Sequence, residues 1–487
     1  MMTKSSVHKI IVRESALWLV AVDVLCLAAS IALGVKSRGW LGPSLGMDPL
    51  EIGSGEYIKS HPEGWIFFCV TVMIANYIVG NYKLQAIVYR FNLFVNWLFS
   101  LAAGLLVLSA TSMAWFELML GRGVLLFAIA AYAFLSLIVK CIVYELLPKS
   151  ELFVRRTVLF GTGKGAQDVR RIVESKYIIP RHMVCGHVFV PVEGVEPHDC
   201  SPEMEGTEIV CTTVDKMEDT MRVLDSDLII MCSDNVDEVT KCLPVMRRLR
   251  FSGIEVMDRL SAIELFSGRV PLDMANDAWM MQATMAPSMA SVRRIKRLFD
   301  IVITCLTLLV VVPASLIVGL LLKLSAPGSP MFYTQTRVGQ FGRLFRMHKF
   351  RTMVVDAEKH VGPVWAQRND PRVTRLGRVL RKFRLDEMPQ IWNVLLGEMS
   401  LVGPRPERPE IVAELQKQIP NYRERENVPP GVTGWAQVRF PYVDTVEDVA
   451  RKLEFDFYYI KNMSVRLDFQ IILMTIRIVL LGKERNG

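Results

Sequence analysis

The apolar residues of this 487-residue chain are gathered into a few long runs, and no other feature limits its folds as strongly. Four runs occupy the first 150 residues, roughly 15–35, 64–80, 92–116 and 124–147. Each is close to the ~20 apolar residues that an α-helix needs to cross a bilayer. The first reads as an anchor rather than a signal peptide, because Arg13 and Glu14 stand at its start, Asp23 lies within it and three more runs follow. Lys4, Lys9 and Arg13 precede the first run, Lys83 and Arg90 lie between the second and third, and Lys149, Arg155 and Arg156 follow the fourth. The loop at 36–63 mixes cations with Asp48, Glu51, Glu56 and Glu63. The positive-inside rule therefore puts both ends of a four-span bundle, residues 1–148, in the cytoplasm. Asp23 lies inside a span, where an acid is either functional or hydrogen-bonded within the bundle, and Lys140 is the one cation in another span.

The formal net charge of +8 suits anionic lipid or phosphate partners. It does not indicate nucleic acid, since the chain has no zinc knuckle, no RNA-binding aromatic motif and no basic stripe away from its membrane-proximal parts. The nine cysteines form no CxxC pair and read as reduced thiols facing a cytosol. The seven histidines show no zinc spacing.

Residues 149–272 read as a Rossmann-like domain. RRTVLFGTGKGA, 155–166, has the pattern strand, glycine turn, helix, with the spacing GxGxxA. Two further apolar runs, 183–190 and 227–232, fit parallel strands. The acid expected after the second strand is missing, because Val190-Pro191-Val192 stands there. Nucleotide binding and a purely structural or regulatory role both remain open. Residues 273–292, rich in Met, Ala, Ser and Asn, read as a linker.

Arg293, Arg294, Lys296 and Arg297 lead into a fifth apolar run, 299–322, and are placed among lipid phosphates. Pro313 sits in the middle of this run, where proline removes a helical hydrogen bond. The run either spans or dips into one leaflet and returns. Residues 347–353 alternate apolar and basic, as in a short strand, and 369–374 form a turn ending at Thr374, a good helix cap. The next helix carries Arg375, Arg378, Arg381, Lys382 and Arg384. Asp386 is expected to cap the helix after it, with Glu387 first, Pro389 in the first turn and Gly397 as the stop. Gly403-Pro404-Arg405-Pro406 and 429–438 are glycine-punctuated loops whose backbone N–H groups can approach a phosphate.

The order KFRTM (349–353), LDE-PQ-WNVL-GEMS-VGPRPE (385–407), PGVTGWAQV (430–438) and DFYYIKN (456–462) resembles the monotopic phosphoglycosyl transferases of bacterial glycan assembly. The preceding spans and Rossmann-like domain resemble the large exopolysaccharide-type members, the polyprenyl glycosylphosphotransferases. The resemblance implies a C-terminal α/β catalytic domain at 293–487 with a re-entrant helix at 294–325 broken at Pro313, although Val312 stands where the family often has serine. It implies an enzyme of the bacterial inner membrane with a cytoplasmic catalytic domain. That enzyme would move a sugar-1-phosphate, from UDP-glucose or UDP-galactose in particular, to undecaprenyl phosphate, releasing UMP in the first membrane step of exopolysaccharide, capsule or O-antigen assembly. Asp386 would be the nucleophile and Glu387 its partner in holding Mg²⁺. Arg351, Arg381 and Arg405 would clamp phosphates, and the loop with Gly431, Thr433, Gly434 and Gln437 would hold the nucleotide. Homo-oligomerisation is left open. Two other classes fit the residues less well. A scaffold or sensor protein leaves the Asp386-Glu387 and Arg405 motifs without a role, and a nucleotide-sugar dehydratase needs a Tyr-xxx-Lys pair that the middle domain lacks.

Overall fold

A computed structural model describes residues 15–41, 54–82, 90–114, 120, 122–146, 154–161, 163–175, 182–191, 209–284, 289–354, 371–440 and 445–481. The loop cations Lys4, Lys9, Arg13, Lys83 and Lys149, and the first half of the turn at 369–374, lie outside these residues. The chain divides into two compact units, Met1–Ser267 and Gly268–Gly487.

The first unit begins with helices α1 (Ser15–Leu41), α2 (Ser54–Ser60), α3 (Pro62–Val79), α4 (Arg90–Ala114) and α5 (Arg122–Leu146). Each apolar run becomes one long helix, and the short α2 comes from the loop between the first two. Within α1, α3 and α5 the stretches Leu19–Leu41, Pro62–Val79 and Gly123–Ile142 are long and apolar enough to cross a membrane, and α4 carries the shorter Phe94–Ala110. Leu27, Val35, Phe68, Val124, Ala128 and Tyr132 form the bundle core. A chain of polar side chains also runs through it. Lys140 lies 3.9 Å from Asp23, Tyr132 donates to Asp23, Asn76 donates to Tyr132, and Asn81 donates to Asn76 and Ser100. Asp23 is therefore an acid held inside the bundle, with Lys140 as its counter-charge.

Next comes a parallel sheet of β1 (Arg155–Phe160), β2 (His182–Phe189), β3 (Ile209–Cys211), β4 (Leu228–Met231) and β5 (Glu255–Asp258), in the order β3-β2-β1-β4-β5. Helices α6 (Lys164–Val173), α7 (Met217–Val223), α8 (Val236–Phe251) and α9 (Arg259–Ser267) alternate with the strands. Val158, Phe160, Val188 and Ile229 point to one face, where Met217, Met221, Val245 and Leu249 of α7 and α8 cover them. Leu159 and Ile230 alternate to the other face and are equally buried. The three inner strands are the three apolar runs. β3 and β5 are edge strands of three and four residues whose side chains are half-buried or exposed, so they leave no apolar run of their own.

The second unit contains α10 (Asp277–Thr284), α11 (Met289–Ser325), an antiparallel hairpin of β6 (Phe332–Val338) and β7 (Leu344–Phe350), α12 (Arg375–Lys382), α13 (Gln390–Leu396), β8 (Ser400–Val402), α14 (Pro409–Gln418), β9 (Gly431–Thr433), α15 (Trp435–Arg439), α16 (Val446–Lys461) and α17 (Val465–Leu481). β8 and β9 pair in parallel. The stretch expected as a linker holds α10, whose Trp279 packs 6.1 Å from Phe457 of α16, so an Ala- and Met-rich composition reflected a docked helix.

Helix α11 carries the fifth apolar run and is continuous from Met289 to Ser325 with Pro313 inside it. The helical conformation thus runs through Pro313, where a break was expected; one missing N–H leaves the neighbouring turns bonded, and a proline in this position kinks a helix without ending it. Lys296 is also not placed among lipid phosphates as the sequence suggested. Lys296 is buried against Asp468 of α17 and donates to Val402 O at 2.9 Å, and Tyr459 donates to the same carboxylate at 2.7 Å. Asp300 accepts from Ser400 Oγ at 2.8 Å and from Leu401 N at 3.2 Å. Arg297 donates to the last carbonyls of α13, Val394 O and Leu395 O, where a cation suits the helix dipole. Of the four cations before the run, only Arg293 and Arg294 are exposed. Toward its other end α11 buries Val318 and Leu322 against Phe350 and Leu380. Between these two docked ends, Leu309, Val310 and Leu316 are exposed.

Candidate active site

The segment after α12 explains how two neighbouring carboxylates come to differ. Thr374 caps α12 as expected, accepting from Gly377 N at 2.9 Å. Arg384 then takes a left-handed conformation, φ 57°, which costs a non-glycine residue roughly 1–3 kcal/mol in a held position. This turn winds Leu385–Glu387 into a single 3₁₀ turn, and α13 starts only at Gln390 with Pro389 before it. Asp386 therefore caps no helix, contrary to the sequence expectation. Gly397, left-handed at φ 84°, ends α13 as expected.

Glu387 Oε1 gathers three cations: Arg405 at 2.9 Å, Lys349 at 3.1 Å and Arg384 at 3.8 Å. Burial alone would raise the Glu387 pKa, but Arg405, Lys349 and Arg384 outweigh it and hold the carboxyl far below its ordinary range. Asp386 is the opposite case. It is also buried, and among the described residues its Oδ1 has no hydrogen-bond partner. Burial, then repulsion from Glu387, raises its pKa, with Lys349, Arg381 and Arg384 opposing. A buried unpaired acceptor costs about 1–3 kcal/mol, so such an oxygen stands ready for an electrophile or a cation.

Lys349 was missed by sequence reasoning. It lies on β7, whose alternation was legible: Met347 is buried, and Lys349 is on the same side of the strand. Asn393 fixes the edge of that strand, accepting from His348 N at 3.3 Å and donating to Arg346 O at 2.8 Å. Of the expected phosphate clamps, Arg405 meets Glu387 directly. Arg381 donates to Thr352 Oγ1 at 2.9 Å and contributes to the field at Asp386. Arg351 follows β7 two residues beyond Lys349, half-buried, its backbone N–H on Met331 O.

The glycine loops serve a different purpose from the one expected. A Cβ on Gly431 would lie 2.0 Å from Gly403 N, and one on Gly434 would lie 2.2 Å from Gly403 O. Gly431 N donates to Pro404 O, and Gly403 N to Thr433 O. Bare backbone here locks the Arg405 loop onto β9, so these N–H groups are already used. Thr433 hydrogen-bonds Thr475 of α17 at 2.7 Å. Gln437 faces a cleft of about 460 Å³ that also has Arg384, Arg405, Arg425, Lys452 and Asp456 in its walls. Its Oε1 is buried and has no partner among the described residues. Arg425, which sequence reasoning passed over, pairs with Asp456 at 2.9 Å and donates to Arg405 O at 3.0 Å, holding the loop that carries Arg405. Asp456 lies in the DFYYIKN motif, but its partner is 31 residues away and has no motif of its own.

Among the described residues no group of three or more His, Cys, Asp and Glu side chains could hold a metal. The bare Asp386 Oδ1 beside Glu387 still suits a hard cation that takes one or two carboxylates and completes its shell with water and phosphate oxygens. In the first unit the glycine turn at 161 is closely covered. A Cβ on Gly161 would lie 2.6 Å from Ser233 N, and Arg259, paired with Asp234 at 2.6 Å, lies over Gly165.

The sequence profile of a family described as bacterial sugar transferase matches residues 291–482, which hold all of the site described above. A protein of Aeromonas hydrophila named UDP-N-acetylgalactosamine-undecaprenyl-phosphate N-acetylgalactosaminephosphotransferase is 43% identical over 45% of this chain and 51% of its own length. The chain thus spans about half of that relative. A UDP-galactose-lipid carrier transferase of Erwinia amylovora is 28% identical over 72% of each chain. An exopolysaccharide production protein of Rhizobium leguminosarum bv. phaseoli is 39% identical over 37% of this chain and 93% of its own length. With that relative covered over nearly its whole length and the profile over the carboxylates, cations and loops of the site, the chain belongs to the bacterial sugar transferase family.

Proposed function

We propose that the chain transfers a sugar-1-phosphate from a UDP-sugar to undecaprenyl phosphate in the bacterial inner membrane, releasing UMP. The observation that carries this reading is the contrast between Glu387, saturated by cations, and Asp386, whose Oδ1 is buried and bare. In the first step Asp386 Oδ1 attacks the sugar-proximal phosphorus. An oxygen–phosphorus bond forms to the carboxylate, the bond to the bridging oxygen breaks, and UMP leaves with the electron pair. In the second step a phosphate oxygen of the lipid attacks the same phosphorus and frees Asp386. Arg405, Lys349 and Arg384 offset the repulsion between carboxylates and diphosphate, and the cleft lined by Gln437 and Arg425 takes the nucleotide end. Asp386 and Glu387 would hold Mg²⁺, which supplies charge neutralisation at the diphosphate when bound. The relatives carry names with different sugars, so the hexose is read from a panel rather than assigned.

Two further features belong to this reading. Helix α11 enters and returns on one side of the bilayer, which is supported by both its ends being packed on the same folded unit, Asp300 on Ser400 and Leu322 with Leu380, while its middle is apolar and exposed. The sheet of the first unit is Rossmann-like, supported by its parallel strand order. The deciding experiment incubates the purified protein with undecaprenyl phosphate, Mg²⁺ and UDP-glucose, UDP-galactose or UDP-N-acetylgalactosamine. Release of UMP together with a phosphate-linked lipid product is expected. Release of UDP would mean ordinary glycosyl transfer and would end this reading.

A further inference from the structure

The sheet of the first unit has one edge unlike the rest of its surface. β1 starts there at Arg155, which pairs with Glu255 at the start of β5 at 2.7 Å. Arg156 donates to Leu224 O just after α7, and its N–H bonds Asp227 before β4. Glu255 N in turn donates to Asp227 O. The end of α7, the end of α8 and the start of β1 therefore lie together at the N-terminal edge of the strands. On this edge Phe251, the last residue of α8, is 88% exposed and Val223, the last of α7, is 82% exposed. Met183, opposite Arg156 on β2, is also exposed. Arg222, Arg247 and Arg250 are exposed around them, and among the described residues neither Arg247 nor Arg250 meets a carboxylate. Cations at a helix C-terminus favour its dipole, which accounts for Arg250. The dipole gives no reason for a phenylalanine and a valine held almost wholly in water beside them.

The edge is also where the chain arrives from the bundle. The residues between Leu146 of α5 and Arg155 reach at most about 30 Å, so β1 begins close to the membrane surface. We propose that this edge is a membrane-docking face: Phe251 and Val223 enter the interfacial layer of the adjoining leaflet while Arg247 and Arg250 meet anionic phospholipid headgroups; Arg222 is paired with Glu218 at 2.8 Å and is not part of that contact. Arginines near such a surface gain attraction that falls within a Debye length, about 8 Å at physiological salt, and apolar side chains among them add burial. The proposal rests on the four helices crossing the bilayer and is independent of the transferase chemistry.

The test uses the full chain in nanodiscs whose lipids carry bromine near the headgroup, with Phe251→Trp as the reporter. In discs containing phosphatidylglycerol, the variant is expected to show bromine quenching beyond that of the wild-type tryptophans. The excess should disappear in phosphatidylcholine discs and in Phe251→Trp combined with Arg247→Glu and Arg250→Glu. It should also shrink as salt rises in the singly substituted protein, a check that needs no charge reversal. No excess quenching in anionic discs overturns the proposal, as it would if the edge faced a protein partner or bulk water. Excess quenching that survives charge reversal and salt overturns the anionic recognition.

Discussion

Two buried ionic clusters of the second unit are built from the same residue types and have opposite character. At the root of α11, Lys296 and Asp468 share a network in which Tyr459, Ser400 and the backbone N–H of Leu401 meet the remaining lone pairs of Asp468 and Asp300. At the candidate site three cations crowd one oxygen of Glu387, while Asp386 Oδ1 beside it has none. A satisfied network fixes geometry, and breaking it leaves a buried charge. An unsatisfied one stores an unmet interaction, which substrate can complete. On the proposed reading, the first cluster holds α11 and the second carries the chemistry.

The sharpest test of that division is Asp386→Asn. Turnover should fall by about 10³-fold or more, because the amide cannot attack phosphorus. The raised pKa of Asp386 means that its ionised form penalises the folded state above that pKa. The neutral amide removes the penalty, so melting temperature at neutral pH should stay level or rise. A variant that lost activity only by unfolding would break the comparison. Lys296→Met should behave inversely. It strands Asp468 in the interior, a change that costs about 3–5 kcal/mol, and activity should fall only as far as the folded fraction does. Thermal unfolding in detergent, run beside UMP release per folded molecule, separates the two. A smaller effect is expected from Arg425→Lys, which keeps charge near Asp456 but loses the bond to Arg405 O, worth about 1–3 kcal/mol. Its readout is kcat against KM: a displaced Arg405 loop should lower kcat more than it weakens UDP-sugar saturation.

The same contrast explains what the sequence could reveal. Local rules worked where the partner is local: the Thr374 cap and the Gly397 stop appeared where the pattern put them, and the strand expected at 347–353 is present three residues earlier, at Leu344–Phe350. Long-range pairs were invisible. Lys296 read as lipid-facing because Asp468 is 172 residues away, and Arg297 because the carbonyls it meets belong to α13. The glycines of 403, 431 and 434 read as phosphate cradles, since sequence does not tell a backbone approached by ligand from one approached by another loop. Asp386 read as a helix cap because nothing in its type signals the left-handed turn at Arg384 that moves it off the helix. The carboxylate pair was recognisable from its motif, but the bareness of Asp386 Oδ1 was not.

That bareness also has a pH signature, and it gives the finest test. If Asp386 must be ionised to attack, kcat/KM should fall with acid through a pKa raised above the ordinary carboxylate value. Lys349 is one of the cations that lower this pKa, and it lies 3.1 Å from Glu387. Lys349→Met removes that attraction, so the Asp386 pKa should climb and the acid limb should move to higher pH. The direction is the informative part. A general loss of folding or of diphosphate binding lowers the whole profile without moving its limb. An acid limb that moved down, or stayed fixed while the rate dropped, would mean that the group titrating in the profile is not Asp386.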